Sequence, residues 1–294
     1  MTRPDGVVSL CVGTGRCGTT FLASLAEREP DVAASHERLR LAATFHMYCA
    51  WHGIPVDPEG FLVDREAAVR DDLAAHRVSF EASALLSHSL EVLHERFGAR
   101  ILLLVRRPDH CVGSFTVRGW FEALPQWGDP TRPPSYREGE EPRHFFGRNL
   151  PRGREAYARW AARTPLGRVA WFWQARNRAV IEQLARLPAA DVRIARLEDL
   201  DHAGYCDVAR FLGWSPTLDA ATYDALASSR PNTGPNPPRR ADAWSEREAA
   251  DFEAEVAPLA AALGYEHRVD ALRAGAPAVV GPVPSPADAL ARLG

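Results

Sequence analysis

A glycine-rich segment between an apolar run and an amphipathic run carries the clearest chemical signal in the sequence. The segment GTGRCGTT occupies positions 13–20, directly after the apolar residues 7–12. Glycines permit a tight turn from strand to helix, and the outward N–H groups together with the helix dipole attract an anion. The G-x-x-x-x-G spacing is typical of nucleoside triphosphate loops, but Thr19 stands where such loops carry lysine. With Arg16 as its cation, the loop predicts a site for one terminal oxyanion.

A second turn of this kind follows the apolar run RILLLV at positions 100–105. It contains Arg106 and a helix start at Pro108, and Ser114 follows eight residues after Arg106, about two helical turns. An arginine and a hydroxyl at this spacing can share one anion. Ligands of open α/β sheets bind beyond the carboxyl ends of the strands, so the two turns predict two neighbouring anion sites. Taken singly, the glycine turn could also be a plain strand-to-helix connection, and Arg106 and Ser114 could also be a surface ion pair and a helix serine.

The composition is that of a globular protein and excludes several classes of partner. With 46% hydrophobic residues, 25% charged residues and a net charge of −3, the chain is not expected to bind nucleic acid through bulk charge. No apolar run suits a membrane span or a secretory leader, so we expect a cytoplasmic protein with no membrane partner. The five cysteines lack C-x-x-C spacing, which favours reduced thiols and predicts no metal site. All 35 basic residues are arginine, so cationic roles fall to arginine or histidine.

Alternating strand and helix patterns predict an α/β protein with a P-loop-like three-layer fold, in which helices cover both faces of a mostly parallel sheet. The predicted strands are Val7–Val12, Val78–Glu81, Arg100–Val105 and Val192–Leu197, and the main predicted helices cover residues 38–51, 61–77, 84–97, 168–187, 207–214 and 245–263. We expect a single domain over residues 1–270. An insertion at about 125–155, rich in proline, arginine and aromatic residues, predicts either a lid over a substrate or a mobile loop. Residues 271–294 predict a poorly ordered tail.

In these motifs the chain resembles the sulfotransferases that use 3'-phosphoadenylyl sulfate (PAPS). GTGRCGTTFL is similar to their 5'-phosphosulfate loop, with Cys17 where serine is usual. LLLVRRPDHCVGSF resembles their 3'-phosphate motif, an arginine after a strand and a serine eight residues later. ARLEDL at positions 195–200 is similar to a later R-Y-E-D-L segment, with Leu197 in place of tyrosine. The resemblance extends in outline from Val7 to Tyr265.

The resemblance implies that the chain transfers a sulfuryl group from PAPS to a hydroxyl of a small organic acceptor, such as a specialised metabolite or a glycoside. Adenosine 3',5'-bisphosphate would be the other product, and no metal would be required. The residues implied for the 5'-phosphosulfate are Arg16, Cys17, Gly18, Thr19 and Thr20, and those for the 3'-phosphate are Arg106, Ser114, Arg239 and Arg240. Arg16 would also act in catalysis by stabilising charge on the sulfuryl oxygens, by analogy with phosphoryl transfer.

An acceptor hydroxyl needs a base to remove its proton during attack. Glu37 is the first candidate, since relatives often carry a glutamate after the first helix, and the adjacent His36 is the second. Glu81 and His110 are further candidates. The aromatic residues expected near the acceptor, or alternatively in a helix core, are Phe45, Tyr48, Trp51, Trp120, Phe121 and Trp127. Trp173 and Asn177 are expected on the adenine side of the donor or in the core.

Two other functions stay open from the sequence. A P-loop nucleotide kinase or other phosphotransferase predicts a lysine beside Gly18 and an acid for Mg²⁺ after a strand, and the lysine is absent. A non-catalytic nucleotide-binding protein on the same fold would retain Arg106 and Ser114 but would need no base. The sequence does not define an oligomeric state.

Overall fold

The fold is organised around a parallel sheet. The structure is a computed structural model that describes residues 6–129, 131–229 and 237–294. Within these ranges five strands pair in parallel in the order β2-β3-β1-β4-β5. They are β1 (Val7–Val12), β2 (Val32–His36), β3 (Val78–Ala82), β4 (Arg100–Val105) and β5 (Val192–Arg196). With helices packed on both faces, the predicted α/β class and parallel sheet are confirmed.

Helices connect the strands and form the two outer layers. The α-helices of the described ranges are α1 (Thr19–Ala26), α2 (Arg40–His52), α3 (Glu59–Ala75), α4 (Leu90–Phe97), α5 (Pro108–Thr116), α6 (Pro142–Phe146), α7 (Arg154–Ala161), α8 (Pro165–Leu184), α9 (His202–Leu212), α10 (Ala220–Ser229), α11 (Glu246–Ala262), α12 (Val269–Arg273) and α13 (Pro286–Ala291). Short 3-10 turns lie at Ala84–Leu86, Ala189–Asp191, Leu197–Asp199 and Ala241–Ala243. In the part of the chain that the structure describes, no helix has the length and apolar content needed to cross a membrane.

The central strands β1 and β4 lie side by side, with Val12 opposite Leu103. The helices that follow them pack on opposite faces of the sheet. Leu22 and Leu25 of α1 belong to one apolar cluster, which also includes α9, whereas Val112 and Phe115 of α5 belong to the other, with α8 and α11. The two loops therefore diverge at the carboxyl edge of the sheet, which is where open α/β sheets bind ligands.

Two elements differ from the sequence prediction. Strand β2 was not predicted as a strand, because its residues VAASH are small or polar and mostly half-buried at the edge of the sheet. The helix predicted over 84–97 is divided into a 3-10 turn at Ala84–Leu86 and α4. Ser83 caps the turn by accepting a hydrogen bond from the Leu85 N–H, and Ser89 precedes the new helix. Serine hydroxyls compete for backbone groups in this way and favour helix ends.

The two outlying segments are both packed against the sheet layers. The insertion places α6 against α2, where the ring centroids of Phe45 and Phe146 lie 5.3 Å apart. The C-terminal segment 271–294, for which poor order was expected, forms α13 on the surface of α8, and Ala289 is fully buried there. Ser285 caps α13 by accepting from the Asp288 N–H. Local capping and a few apolar contacts order a segment whose composition alone suggested otherwise.

Candidate functional site

The glycine loop forms a concave turn at the carboxyl end of β1. Gly15, Arg16 and Gly18 all have positive φ, at 80°, 57° and 105°. Consecutive residues of this kind turn backbone N–H groups towards a common point, and a non-glycine residue with positive φ is a strained position that usually has a functional reason. A β-carbon on Gly18 would lie 2.6 Å from the Leu197 Cδ1 atom, so glycine is required there by packing as well. The loop therefore has the backbone geometry expected of an anion cradle, and we refer to it as the first cradle.

The second cradle lies directly against the first. The Arg16 Nε donates to the Ser114 Oγ at 2.9 Å, and the Arg106 Nη1 donates to the Arg16 carbonyl at 3.1 Å. Ser114 is buried in α5, and these two hydrogen bonds bring the predicted 3'-phosphate residues Arg106 and Ser114 into contact with the loop. Burial lowers the pKa of Arg16, and the neighbouring cation Arg118 lowers it further. Several guanidinium groups are thus held close together, an arrangement that an anion stabilises.

Arg118 was not identified from the sequence. It lies just beyond the end of α5, four residues after Ser114, and its side chain is exposed. Its position one helical turn after Ser114 could have indicated that the two residues lie on the same side of the helix. The same spacing also occurs on ordinary solvent-exposed helix faces, so it does not identify a site.

Residues of the ARLEDL segment support both cradles. Leu197 packs on Gly18, as noted above. The Glu198 Oε1 accepts from the Arg107 N–H at 3.1 Å, and its Oε2 accepts from the Tyr265 hydroxyl at 2.8 Å. The Arg196 Nε donates to Asp199 at 2.6 Å. These contacts hold the turn after β5 against the turns after β1 and β4, which fixes the cleft between them.

The two arginines of the proline-rich segment have different surroundings. The segment was predicted over 230–243, of which 230–236 lie outside the described residues. The Arg239 carbonyl packs so closely on α5 that a β-carbon on Gly113 would lie 2.1 Å from it. Its guanidinium pairs with Glu248 at 2.7 Å. Arg240 is exposed and is one of the cations that, with burial as the main cause, lower the pKa of His110 to about 4. Because Glu248 already pairs with Arg239, Arg240 is the more available of the two as a counter-charge for a phosphate.

Three other predicted residues have mainly packing surroundings. Cys17 is buried, and burial raises the pKa of its thiol. The Trp173 Nε1 donates to the Arg106 carbonyl at 3.3 Å, so this buried indole holds the end of β4. Asn177 is buried in α8, and neither of its amide atoms has a hydrogen-bond partner among the described residues. An adenine-side role for Trp173 or Asn177 stays a prediction.

The first two base candidates lie at the carboxyl end of β2, next to the loop. The His36 Nε2 is 3.2 Å from the Thr20 Oγ1, and burial lowers the pKa of this imidazole. Glu37 has a positive φ of 52°, and its N–H donates to the Ala82 carbonyl at 3.1 Å. Its carboxylate is 27% exposed and lies 3.6 Å from the Arg40 Nε. The His36 side chain is thus one hydrogen bond from Thr20 of the loop, and Glu37 is the next residue along the chain. The strained backbone at Glu37 fits a functional position.

Glu81, the third base candidate, is held in a buried ion pair. The Arg65 Nη1 lies 2.5 Å from the Glu81 Oε2, and the two side chains are 4% and 8% exposed. Arg65 also donates to the Arg38 carbonyl at 3.1 Å. A carboxylate fixed in this way supports the packing of α3 on the sheet and is a poor proton acceptor for a bound substrate.

Replacement of Glu81 with glutamine is expected to lower the free energy of unfolding by about 3–5 kcal/mol, because it leaves the Arg65 charge buried without a counter-charge. Urea unfolding measures this loss, and any catalytic activity per folded molecule is expected to stay close to that of the parent. Unchanged stability with lost activity would instead identify Glu81 as the base.

Aromatic residues of the insertion, α2 and α8 form a connected group of rings, which we call the aromatic wall. Tyr48 and Trp51 of α2 are buried within it, whereas Trp120 and Phe121 pack with Phe172 in the core. The ring contacts of the wall are Phe45–Phe146 at 5.3 Å, Tyr48–Phe146 at 5.0 Å, His52–Trp127 at 5.9 Å, Trp51–His88 at 5.1 Å and Trp51–Trp171 at 6.2 Å. Four of the six aromatic residues expected near an acceptor are therefore brought together.

Burial of histidines in this wall gives stability a defined pH dependence. Burial lowers the pKa of His88 to about 3, whereas an unfolded histidine titrates near 6.5. Below about pH 6.5 the unfolded chain binds a proton that the folded chain does not, so stability falls as the pH decreases towards 3. We expect His88→Gln to lose less stability than the parent between pH 7 and pH 5, by up to about 1.4 kcal/mol per pH unit. Urea unfolding at both pH values tests this, with the exposed His144→Gln as control; equal losses in parent and His88→Gln would contradict it.

Among the described residues, no group of three or more His, Cys, Asp or Glu side chains is arranged to hold a metal ion.

No family model and no curated protein matches the chain. Similar solved structures include the sulfotransferase domain from the curacin biosynthetic pathway, at 12% identity, 87% coverage of this chain, 99% coverage of that domain and a TM-score of 0.45. They also include the sulfotransferase domain from the Synechococcus PCC 7002 olefin synthase, at 15% identity, 86% and 95% coverage and a TM-score of 0.45.

Proposed function

We propose that this chain is a sulfotransferase that moves a sulfuryl group from PAPS to a hydroxyl of a small organic acceptor. The proposal rests on one observation, which is that hydrogen bonds connect the two cradles. Arg16 contacts Ser114 at 2.9 Å, and Arg106 contacts the Arg16 carbonyl at 3.1 Å. PAPS carries a 5'-phosphosulfate and a separate 3'-phosphate, so it offers one anion to each cradle. Placement of the two arginines on opposite faces of the sheet would have excluded this donor.

The donor set suits these anions. Backbone N–H groups of the loop, the Thr19 and Thr20 end of α1 and the Arg16 guanidinium would hold the phosphosulfate. Arg106, Ser114 and Arg240 would hold the 3'-phosphate. A sulfuryl group carries less charge than a terminal phosphoryl group, so arginine and backbone donors would stabilise the charge that spreads over its oxygens during in-line transfer.

The base would come from the carboxyl end of β2. Glu37 is exposed enough to meet an acceptor hydroxyl, and its carboxylate would take the hydroxyl proton as the new S–O bond forms. His36, bound to Thr20 of the loop, is the alternative base and otherwise positions the loop. The bridging oxygen of the donor leaves with the pair of electrons of the broken S–O bond, which yields adenosine 3',5'-bisphosphate.

A nucleotide kinase is the second candidate, and the residues favour it less. The position after Gly18 is Thr19, and the chain contains no lysine to reach a triphosphate. Arg106 and Ser114 also form a second cradle for which a kinase has no evident use.

Thermal melting separates these functions. Adenosine 3',5'-bisphosphate at a hundred times its Kd adds about 2.7 kcal/mol to stability, and we expect this stabilisation in the presence of EDTA. ATP with and without Mg²⁺ serves as the comparison. Stabilisation by Mg·ATP alone would overturn the proposal.

A further inference from the structure

Two buried polar atoms of α2 have no hydrogen-bond partner among the described residues. They are the Tyr48 Oη and the His52 Nε2, and the two rings lie 4.6 Å apart between centroids. Tyr48 is only 2% exposed. Burial of a polar atom without a hydrogen bond is costly, and native proteins rarely leave such an atom unsatisfied unless water or another molecule satisfies it. These atoms therefore indicate a bound polar group beside the aromatic wall.

The charges around these atoms define what that group would be. Burial, followed by the nearby Arg152 charge, lowers the pKa of His52 to about 4, so its imidazole is neutral at pH 7. Burial also raises the pKa of the Tyr48 phenol to about 12, so it stays protonated and can donate. The Arg152 guanidinium lies 5.1 Å from the centroid of Trp51, the residue next to His52 in the chain. No ion pair to Arg152 is present in the described part of the chain.

Arg176 is a second cation on the same side of the aromatic wall. Arg176 is fully buried, and its Nε and Nη2 donate to the Asn149 Oδ1 at 2.9 and 2.6 Å and not to a carboxylate. The Asn149 Oδ1 also lies 3.4 Å from the His88 Nε2. Burial lowers the pKa of Arg176 to about 9, which still leaves it charged at pH 7. Arg176, Arg152 and His52 all lie close enough to His88 to add to the effect of burial and lower the pKa of its imidazole, so two guanidinium groups lie on this side of the wall.

We propose that the acceptor carries a carboxylate in addition to its hydroxyl, and that this carboxylate binds at Tyr48, His52 and Arg152. The inference rests on the proposed sulfotransferase function and specifies its substrate class. Two neutral donors and one guanidinium match a carboxylate, which accepts several hydrogen bonds and a single counter-charge. The aromatic wall would pack against the apolar body between the two groups.

The geometry of α2 also sets the length of such an acceptor. Glu37 lies beside Arg40 at the start of α2, and Tyr48 is eight residues further along the helix, a rise of about 12 Å. The acceptor would therefore be elongated, with its hydroxyl near Glu37 and its carboxylate at the opposite end of the wall.

Isothermal titration with a matched pair of phenols tests the proposal. The probes are 3-(4-hydroxyphenyl)propionate and its methyl ester, each titrated with and without saturating adenosine 3',5'-bisphosphate. We expect the acid to bind at least tenfold more tightly than the ester. Arg152→Gln is expected to abolish this preference and Tyr48→Phe to reduce it, whereas Arg154→Gln, a change of another exposed arginine two residues away, is expected to retain it.

Equal affinity for acid and ester, tighter binding of the ester, binding of neither probe, or an unchanged preference in Arg152→Gln would overturn the inference. The proposed function is judged separately, by binding of the bisphosphate in the same titrations. A chain that binds bisphosphate but does not prefer the acid would remain a sulfotransferase with a different acceptor. A chain that prefers the acid but does not bind bisphosphate would exclude the proposed donor.

Discussion

Glutamine at position 37 is expected to reduce sulfuryl transfer by about 10²–10⁴-fold, the usual contribution of a general base. The change keeps the size of the side chain but removes the carboxylate that would accept the hydroxyl proton. The affinity for adenosine 3',5'-bisphosphate is expected to stay the same, because the proposed donor contacts lie in the loop and on α5. Initial rates with saturating PAPS, together with bisphosphate titration, measure both quantities.

Two further variants make this result specific. Glu91→Gln alters a glutamate of α4 that is 48% exposed and paired with Arg186, and it is expected to leave transfer unchanged. His36→Gln distinguishes the two residues at the end of β2. Full activity in Glu37→Gln with loss in His36→Gln would reassign the base to His36, and full activity in both would exclude a base at this strand end.

Replacement of Arg106 with glutamine is expected to weaken bisphosphate binding by about 10- to 100-fold. A hydrogen bond to a charged group contributes about 1.5–3 kcal/mol, and the arginine also holds the loop through the Arg16 carbonyl at 3.1 Å. The salt dependence of binding is expected to decrease with it, because one cation fewer faces the ligand. Calorimetric titration at two salt concentrations measures both effects.

The control for this variant is Arg70→Gln. Arg70 is 73% exposed on α3 and pairs only loosely with Glu66, at 3.6 Å, so its loss is expected to leave bisphosphate affinity as it is. An unchanged Kd in Arg106→Gln would show that the turn after β4 does not bind the 3'-phosphate.

The buried strands could be predicted from the sequence because their signal is local. Strands β1 and β4 have the predicted bounds, Val7–Val12 and Arg100–Val105, since a strand covered on both faces reads as a continuous apolar run. Strand β2 has no such run, because an edge strand needs little apolar surface, and only its pairing with β3 defines it. The division of the predicted helix depended on Ser83, whose hydroxyl caps the 3-10 turn at Ala84–Leu86 within an otherwise helical apolar pattern.

The contacts among Arg16, Arg106 and Ser114 were predictable to a similar degree, whereas the binding of a donor there stays a prediction. Arg16, Arg106 and Ser114 lie within two short motifs, and the order of the strands brings the motifs together. The acceptor side could not be predicted as a unit. Its members come from three distant segments: Tyr48 and His52 from α2, Arg152 from the insertion and Arg176 from α8. Only tertiary packing places them side by side, so no spacing along the chain records their association.

The hydrogen bonds that join Arg16 to Ser114 and Arg106 to the Arg16 carbonyl have a consequence for regulation under the proposed function. They fix the distance between the two cradles, which would bind phosphate groups on two different carbons of one ribose. ATP carries all its phosphate groups on the 5' carbon, so it can fill one cradle and leaves the other empty. The turnover of such an enzyme would follow the supply of activated sulfate in its surroundings and would be largely indifferent to energy charge.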